Sequence, residues 1–401
     1  MKPAVAPEAP RPAAPAASAA RPAVRARPRR WHRVGRALWL AFLALDVPLL
    51  LAVAGGLSAA YLAPWWVQLL GVALPYLTWV LGVAAVVPLA ARRWGWFAVH
   101  LVFLGAVAWR AYPPERLAGP PPPAEGDLVM MTFNVPLSGP SREALSDSLV
   151  ALVARERPDV LALQEVVAFA GRRPLRHAAH VEAVVAALPY TLVGPPRPAR
   201  GEPDPIRVSA VPVLVHDEAE AFAVVERQVI PLGSGAEGDE PSSATRTRFR
   251  WRGREGVLYN VHLRSFGDEK PWEDRIRLLE PTTWLPYLRR YRDAFRARAA
   301  DVEQLRAAIE AEALPVLIAG DFNGTADNWV YRRLRGDRRD AFLVAGAGAG
   351  YTYRADRPVV RIDFVLVDEA WDVTAAEVPA VGFSDHRPLV VRLRWAEERK
   401  P

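Results

Sequence analysis

Three long apolar runs follow one another in the first third of this 401-residue chain. They restrict what it can fold into more than any other feature. Residues 37–60 are apolar except for Asp46 and the kink residue Pro48; 65–90 open on Trp65-Trp66 and stop before Arg92-Arg93; 94–112 close around Arg110. Each has about the 19–25 residues needed to cross a bilayer's hydrocarbon core. Trp39, Tyr61, Trp65, Trp66, Trp94, Trp96, Trp109 and Tyr112 stand near the ends, where aromatic belts meet lipid headgroups. A helical hairpin buried in a soluble protein is the alternative, and three runs in succession argue against it. The sequence therefore predicts three transmembrane helices over 37–112. Residues 1–36 carry nine basic residues against the single acid Glu8, and Arg92-Arg93 occupy the second turn. The positive-inside bias then places the N-terminus in the cytoplasm and residue 113 onward outside.

Residues 1–36 read as a disordered basic tail, because a segment of Ala, Pro and Arg cannot bury enough apolar surface to offset its ordering entropy. They show no signal-peptide cleavage pattern. Residues 113–126 read as a stiff proline-rich linker. The pI near 9.9 invites a nucleic-acid reading, but the basic excess belongs to the tail and leaves the globular part mildly acidic. With no cysteine, disulfides, thiolate metal sites and thiol catalysis are excluded. Asp46 is either a functional intramembrane carboxylate or a group facing the bundle beside Pro48, and His100 takes the second reading.

From residue 127 the pattern changes. Short β-type runs appear at Leu128–Asn134, Val160–Leu163, Val208–His216, Gly256–His262, Val316–Ala319, Ile362–Val367 and Leu389–Leu393. Helical stretches at 142–156, 177–188 and 285–313 lie between them, the last with Leu288, Tyr291, Phe295, Ala299, Val302, Leu305 and Ile309 on one face. Residues 233–247 read as a polar surface loop, although Arg246 and Arg248 alternate as on a strand and could reach a phosphate. His177 and His180 have metal-like spacing without a third ligand, so they read as an exposed helix face. Such a mixture predicts a layered α/β domain over 127–401, with sheets covered by helices.

Polar residues at the tips of apolar strands carry the chemistry, since a strand tip is a rigid mount for a reactive group. Asn134 ends TFNV, Gln164 and Glu165 end ALQEV, and His262 lies in YNVHLRS. Asp321 and Asn323 end IAGDFNG, Asp363 is embedded in VRIDFVLV, and Asp385 and His386 stand in GFSDHRPL. Singly, each could be a turn former or helix cap. Asp363, inside an apolar run, needs a partner, and His386 can supply one through a single ring nitrogen. The oxygen-rich set suits Mg²⁺, with Mn²⁺ as the alternative, rather than zinc. The chemistry implied is metal-assisted phosphoester hydrolysis.

In order, TFNV, LQE, NVHL, GDFN, RIDFV and SDHRPL resemble the endonuclease/exonuclease/phosphatase, or DNase I-like, superfamily, across about 128–395. With three helices ahead, the chain resembles the membrane-anchored bacterial branch of VanJ- and YafD-type proteins, which implies a multi-pass protein of the bacterial plasma membrane. The resemblance implies a four-layer α/β sandwich, two packed mixed β-sheets flanked by helices. It implies that Glu165 is the principal metal ligand, supported by Asn134, with Asp385 close by. Asp321 would orient or deprotonate water, Asn323 would hold a phosphate oxygen, and His386, oriented by Asp363, would contact the phosphate or act as base. His262 would donate toward phosphate or leaving group. Some nucleases carry an aspartate where this chain has Pro136, which puts a second metal in doubt. The stretch 266–297 is longer than the family pattern leads one to expect. Its Trp272, Trp284, Tyr287 and Tyr291, with Arg289, Arg290, Arg292, Arg296 and Arg298, read either as a solvated amphipathic helix or as a lid touching anionic lipid.

Three functions remain. The first is a membrane-anchored Mg²⁺-dependent phosphoesterase acting on a lipid-linked or other envelope phosphate. The second is a nuclease of the same fold, which the acidic globular part disfavours. The third is a non-catalytic membrane scaffold, which the intact ionisable set disfavours. Partners are accordingly the bilayer and a phosphate ester; no protein partner is identifiable.

Overall fold

The computed structural model describes residues 29–112, 116, 119–135, 142–166, 168–170, 173–175, 179–193, 211–219, 222–230, 232–233, 242–266, 280–357 and 359–397. Outside these fall most of the basic tail, the start of the proline linker, Pro136, His177, residues 234–241 and Trp272. The chain divides into two compact units, Met1–Pro48 and Leu49–Pro401. In the first unit the described chain is helical, the leading part of α1 (Arg29–Ser58).

The second unit begins with the end of α1, followed by α2 (Trp65–Ala84), α3 (Val86–Ala90) and α4 (Trp94–Ala111). Three stretches, Arg33–Ser58, Trp65–Ala90 and Trp94–Ala111, are long and apolar enough to cross a membrane, as the sequence predicts. Leu50, Val53, Leu74 and Leu81 pack with Trp96, Phe103 and Val107 from α4. On α2, Gln68 is fully buried, and its side-chain oxygen accepts from Asn328 Nδ2 at 3.1 Å and from the Trp329 backbone at 2.9 Å. Arg110, near the end of α4, pairs with Asp327 at 2.5 Å.

The α/β part runs β1 (Leu128–Asn134), α5 (Arg142–Glu156), β2 (Val160–Gln164), the small hairpin β3 (Ala168–Ala170) and β4 (Arg173–Leu175), α6 (Ala179–Ala187), β5 (Tyr190–Leu192), β6 (Val213–His216) and β7 (Phe222–Ile230). It continues through β8 (Ser243–Trp251), β9 (Arg254–His262), α7 (Pro281–Glu310), β10 (Val316–Asp321), α8 (Trp329–Arg335), β11 (Arg339–Asp340), α9 (Ala341–Ala345), β12 (Asp363–Val367), β13 (Trp371–Glu377) and β14 (Leu389–Trp395). Two six-stranded mixed sheets form, ordered β13-β14-β1-β2-β6-β5 and β11-β12-β10-β9-β8-β7.

Strand side chains alternate between faces, and that alternation builds the layers. Leu128 and Met130 of β1, Val160 and Ala162 of β2, Leu258 of β9, Leu317 and Ala319 of β10 and Val365 and Val367 of β12 meet between the sheets. Val129, Met131 and Phe133 face outward onto Leu149, Leu152 and Val153 of α5 and Val181 and Val184 of α6. Tyr259, Val261, Ile318 and Phe364 face the other way onto Phe295, Val302, Leu305 and Ile309 of α7. The result is the expected four-layer sandwich of two sheets flanked by helices.

Several expectations need correction. Part of the 233–247 loop is strand β8, hidden because its outward residues are charged. Arg246 there pairs with Glu312, and Arg248 with Glu255 at 2.5 Å, so neither is a free phosphate contact. Strands β5, β7 and β13 carried no clear signal; β7 is a sheet-edge strand with Val224, Val225 and Val229 exposed. His180 is buried, its Nδ1 bonded with Ser146 Oγ at 3.0 Å across α5 and α6, so it does not belong to an exposed face. One continuous helix, α7, covers the latter half of the 266–297 stretch. Tyr287 and Tyr291 on it are buried and pack with Phe266, so these aromatics are core anchors rather than membrane contacts.

Trp371 is fully buried between the sheets, stacked on Trp395 at 3.7 Å and Trp251 at 6.0 Å. Trp371→Ala is expected to cost about 3–5 kcal/mol of stability, read as a lower denaturant midpoint. An unchanged midpoint would contradict this packing.

Candidate active site

The inter-sheet face that carries the apolar core also carries the polar strand tips. In β1 the inward positions are Leu128, Met130, Thr132 and then Asn134; in β10 they are Leu317, Ala319 and then Asp321. On β9 the series ends in Asn260 and His262, on β2 in Gln164, and β12 begins with Asp363. Register completes the convergence, because Asp321 lies opposite His262 on one neighbour and Asp363 on the other. Gly320 permits this close approach. Its φ is +136°, and a Cβ there would meet the Val261 carbonyl oxygen at 1.9 Å. Glu165 (φ +57°) and Asn323 (φ +47°) also take the left-handed conformation, which strains ordinary residues and recurs at functional sites.

The side chains meet in one cluster. Asn134 Nδ2 donates to Glu165 Oε1 at 2.9 Å and to Asp321 Oδ2 at 3.0 Å. His262 Nε2 lies 3.5 Å from Glu165 and 3.8 Å from Asp321. His386 Nε2 lies 3.8 Å from Asp321 Oδ2, while its Nδ1 bonds with Asp363 Oδ2 at 2.9 Å. Asn323 donates its backbone N–H to Asp321 Oδ1 at 2.7 Å and its side-chain amide to the Leu263 carbonyl at 2.7 Å. Asn134, His262, Asp321, Asp363 and His386 are buried, whereas the Glu165 side chain is 26% exposed and marks the open side. Asp385 is exposed; its charge is felt by His386, but it joins neither of the metal-capable groups described next.

Glu165, His262 and Asp321 bring ligand atoms within 4.8 Å of one another, as do Asp321, Asp363 and His386. Burial opposes charge on His386, yet the carboxylates of Asp363 and Asp321 push its ring up to about 10. A charged imidazole there repels a cation, so the Glu165 side of the cluster suits a metal better than the His386 side. Burial holds the His262 ring below its ordinary value against the pull of Asp321, which leaves it neutral. Asn134 Oδ1 is buried without a hydrogen-bond partner. A hard oxygen left unsatisfied beside two carboxylates is what an oxygen-seeking divalent ion would use. For Asp321, burial and then the Asp363 charge raise the carboxyl to about 6.

Two supports go beyond the sequence reading, which places Gln164 at a strand tip but names neither its partner Asn260 nor the burial of Arg298. Gln164 Nε2 donates to Asn260 Oδ1 at 2.7 Å, and Asn260 Nδ2 donates to the Leu163 and Pro212 carbonyls at 3.0 Å, so a buried amide pair ties the sheets beneath the cluster. Arg298, read as one of a solvated basic set, is buried and donates to the Asn323 carbonyl. Its signal was present, since it falls in the 291, 295, 298, 302 and 305 periodicity of the buried face of α7. Tyr353 also packs edge-on to His386, with ring centres 5.0 Å apart.

Gly320→Ala is expected to cost on the order of 3 kcal/mol, from overpacking plus backbone strain. The readout is the unfolding midpoint, and an unchanged midpoint would contradict the close strand approach.

The model of the endonuclease/exonuclease/phosphatase family matches residues 131–386. Comparison with curated protein sequences gives no match. Among solved structures, an endonuclease/exonuclease/phosphatase from Bacteroides vulgatus aligns at 19% identity over 67% of this chain and 99% of its own, with a TM-score of 0.49. A mannosyl-6-phosphatase from Bacteroides thetaiotaomicron aligns at 16% identity over 67% and 100%, TM-score 0.47. A humanized D. rerio TDP2 aligns at 15% over 67% and 100%, TM-score 0.47. The family match runs from within β1 to His386, well over half of the sequence, and the chain belongs to the endonuclease/exonuclease/phosphatase family of phosphoric ester hydrolases.

Proposed function

We propose that this protein is a membrane-anchored phosphoesterase, dependent on Mg²⁺ or Mn²⁺, that hydrolyses a lipid-linked or other envelope phosphate by attack of water. The observation that carries this reading is the meeting of Asn134, Glu165, His262, Asp321, Asn323, Asp363 and His386 at one end of the inter-sheet seam. Glu165 and Asn134 would hold the ion, with Asp385 at the rim. The ion would supply positive charge against the phosphate oxygens.

The protein's own groups would do the rest. Asp321, raised to about 6, is a base matched to neutral pH and would take the proton of the attacking water. Asp363 keeps His386 charged, which favours contact with a phosphate oxygen over a role as base. Neutral His262, 3.4 Å from the Asn323 amide, would donate toward the phosphate or the leaving oxygen, and Asn323 would hold a further oxygen. Arg298 would position Asn323 through its backbone carbonyl.

Residues 1–36 would be a cytoplasmic basic tail, 37–112 three membrane crossings, 113–126 a linker, and 127–401 the catalytic domain outside the plasma membrane of a bacterium. This is the arrangement of the VanJ- and YafD-type branch. Three apolar helices and the basic residues before the first support it.

Full-length protein in detergent with Mg²⁺ is expected to release phosphate from a polyprenyl pyrophosphate faster than it nicks plasmid DNA, and EDTA abolishes the release. Asp321→Asn and His386→Ala each lower kcat at least about 10²-fold. Wild-type rates in both variants would overturn the assigned roles, and faster nicking of DNA would favour the nuclease reading.

A further inference from the structure

Gln68 stands near the start of α2, among Trp66, Val67 and Leu69, and is fully buried. A buried amide in an apolar helix costs free energy unless its polar atoms are used. Here both ends are used. Nε2 donates to the carbonyls of Ala59 at 2.9 Å and Leu62 at 2.6 Å, which fixes the turn leading into α2. Oε1 accepts from Asn328 Nδ2 at 3.1 Å and from the Trp329 backbone N–H at 2.9 Å. One side chain thus fastens that turn on one side and the entrance of α8 on the other.

The second side leads to the polar cluster. Asn328 is buried, and its Oδ1 accepts from Thr325 N at 2.8 Å and Thr325 Oγ1 at 3.1 Å. Its Nδ2 also donates to the Gln68 backbone carbonyl at 3.0 Å. Two residues before Thr325, Asn323 takes φ +47° and donates its N–H to Asp321 Oδ1 at 2.7 Å. A left-handed asparagine persists where its surroundings over-determine it. Arg298 holds its carbonyl from the α7 side, and Gln68 holds the far end of the same loop from the α2 side. Close approach is built into α2 at Gly71. A Cβ there would meet Ala59 Cβ at 2.8 Å, and the Asp327 carbonyl and Asn328 Nδ2 at 3.1 Å.

We infer that Gln68 is a positioning residue for the candidate active site, holding the loop from Asp321 to Asn328 through Asn328 so that Asp321 and Asn323 keep their alignment. Helix α2 then belongs to the scaffold of the site. Gln68 touches none of the cluster and acts only through Asn328 and the loop. Asn134 ends β1 and Glu165 directly follows β2, so the groups assigned to the ion stand on the other sheet and stay in place when Gln68 is lost. What is lost is the alignment of the groups that meet water and phosphate, and a misplacement of about 1 Å costs up to ~10²-fold in rate. The catalytic part of this inference rests on the phosphoesterase reading; the anchoring of the loop does not.

The test compares the full-length wild type in a mild detergent with Gln68→Met, an unbranched apolar side chain of similar length that makes none of these hydrogen bonds. Hydrogen exchange, read by mass spectrometry, is expected to quicken at least about fivefold in peptides covering 321–328 and to stay unchanged in those covering β1. On polyprenyl pyrophosphate with Mg²⁺, kcat falls about tenfold while KM moves less than about twofold, and Mn²⁺ affinity is kept. Gln68→Glu, which burial keeps neutral, retains an oxygen for Asn328 and Trp329 and recovers most of the kcat. Thr78→Val, which removes only the bond from Thr78 Oγ1 to the Leu74 carbonyl within α2, changes neither exchange nor kcat. If Gln68→Met melts early, Asn328→Asp, which keeps the bonds from Thr325 and loses those to Gln68, is read the same way. Unchanged exchange at 321–328, or faster exchange with unchanged kcat, overturns the inference. A wild type that hydrolyses no phosphate ester overturns the hydrolytic reading and the catalytic part of this one, while exchange still decides whether Gln68 holds the loop.

Discussion

One amide joins the two sheets at the point where the chemistry is placed. Asn134, the last residue of a strand in the first sheet, donates both to Glu165 in its own sheet and to Asp321 in the other. It therefore sets the spacing between two carboxylates that would otherwise repel. Everything beneath it serves that spacing. The Gln164–Asn260 pair locks the sheets one layer down, and the apolar seam from Met130 to Trp371 holds them together further in. His262 Nε2 also lies near both carboxylates, at 3.5 Å and 3.8 Å, but only the amide makes a close hydrogen bond to each of them among the described contacts.

The polar cluster was legible in the sequence because strand alternation is strict. Gln164 and Asp321 each continue an inward-facing apolar series by one step of two, and Asn134 and His262 stand one step beyond the inward-facing polar residues Thr132 and Asn260, so the alternation that buries the core also aims the tips. The pairing of Asp363 with His386 was legible for a different reason, since a carboxylate in an apolar strand must find a partner. Arg298 and His180 were misread as surface groups. For Arg298 the charge hides a position that the helix periodicity places on the buried face, and for His180 the lack of a third ligand near it does not make its helix face exposed. Strand β8 was missed because Arg246 and Arg248 satisfy their charges with Glu312 and Glu255 on the sheet surface, which makes a paired strand look like a solvated loop. The exposure of Asp385, in contrast, depends on the path of the loop before β14, which no periodic pattern encodes.

The apolar helices are not merely tethered to the α/β part. Gln68 of α2 is buried against the Asn328–Trp329 corner, and Arg110 of α4 pairs with Asp327 in the same loop. That loop begins at Asn323, within the polar cluster. A short stretch of chain thus has one end among the candidate catalytic groups and the other on the helices that can cross a membrane.

The account stands on the strand tips forming a single seat for a divalent ion. Titration of the full-length protein with Mn²⁺, followed by electron paramagnetic resonance of the free ion, tests this without reference to substrate. One Mn²⁺ bound per chain, lost in Glu165→Gln and weakened in Asn134→Ala, is the predicted result. No binding by the wild type, or binding that survives both substitutions unchanged, would contradict it.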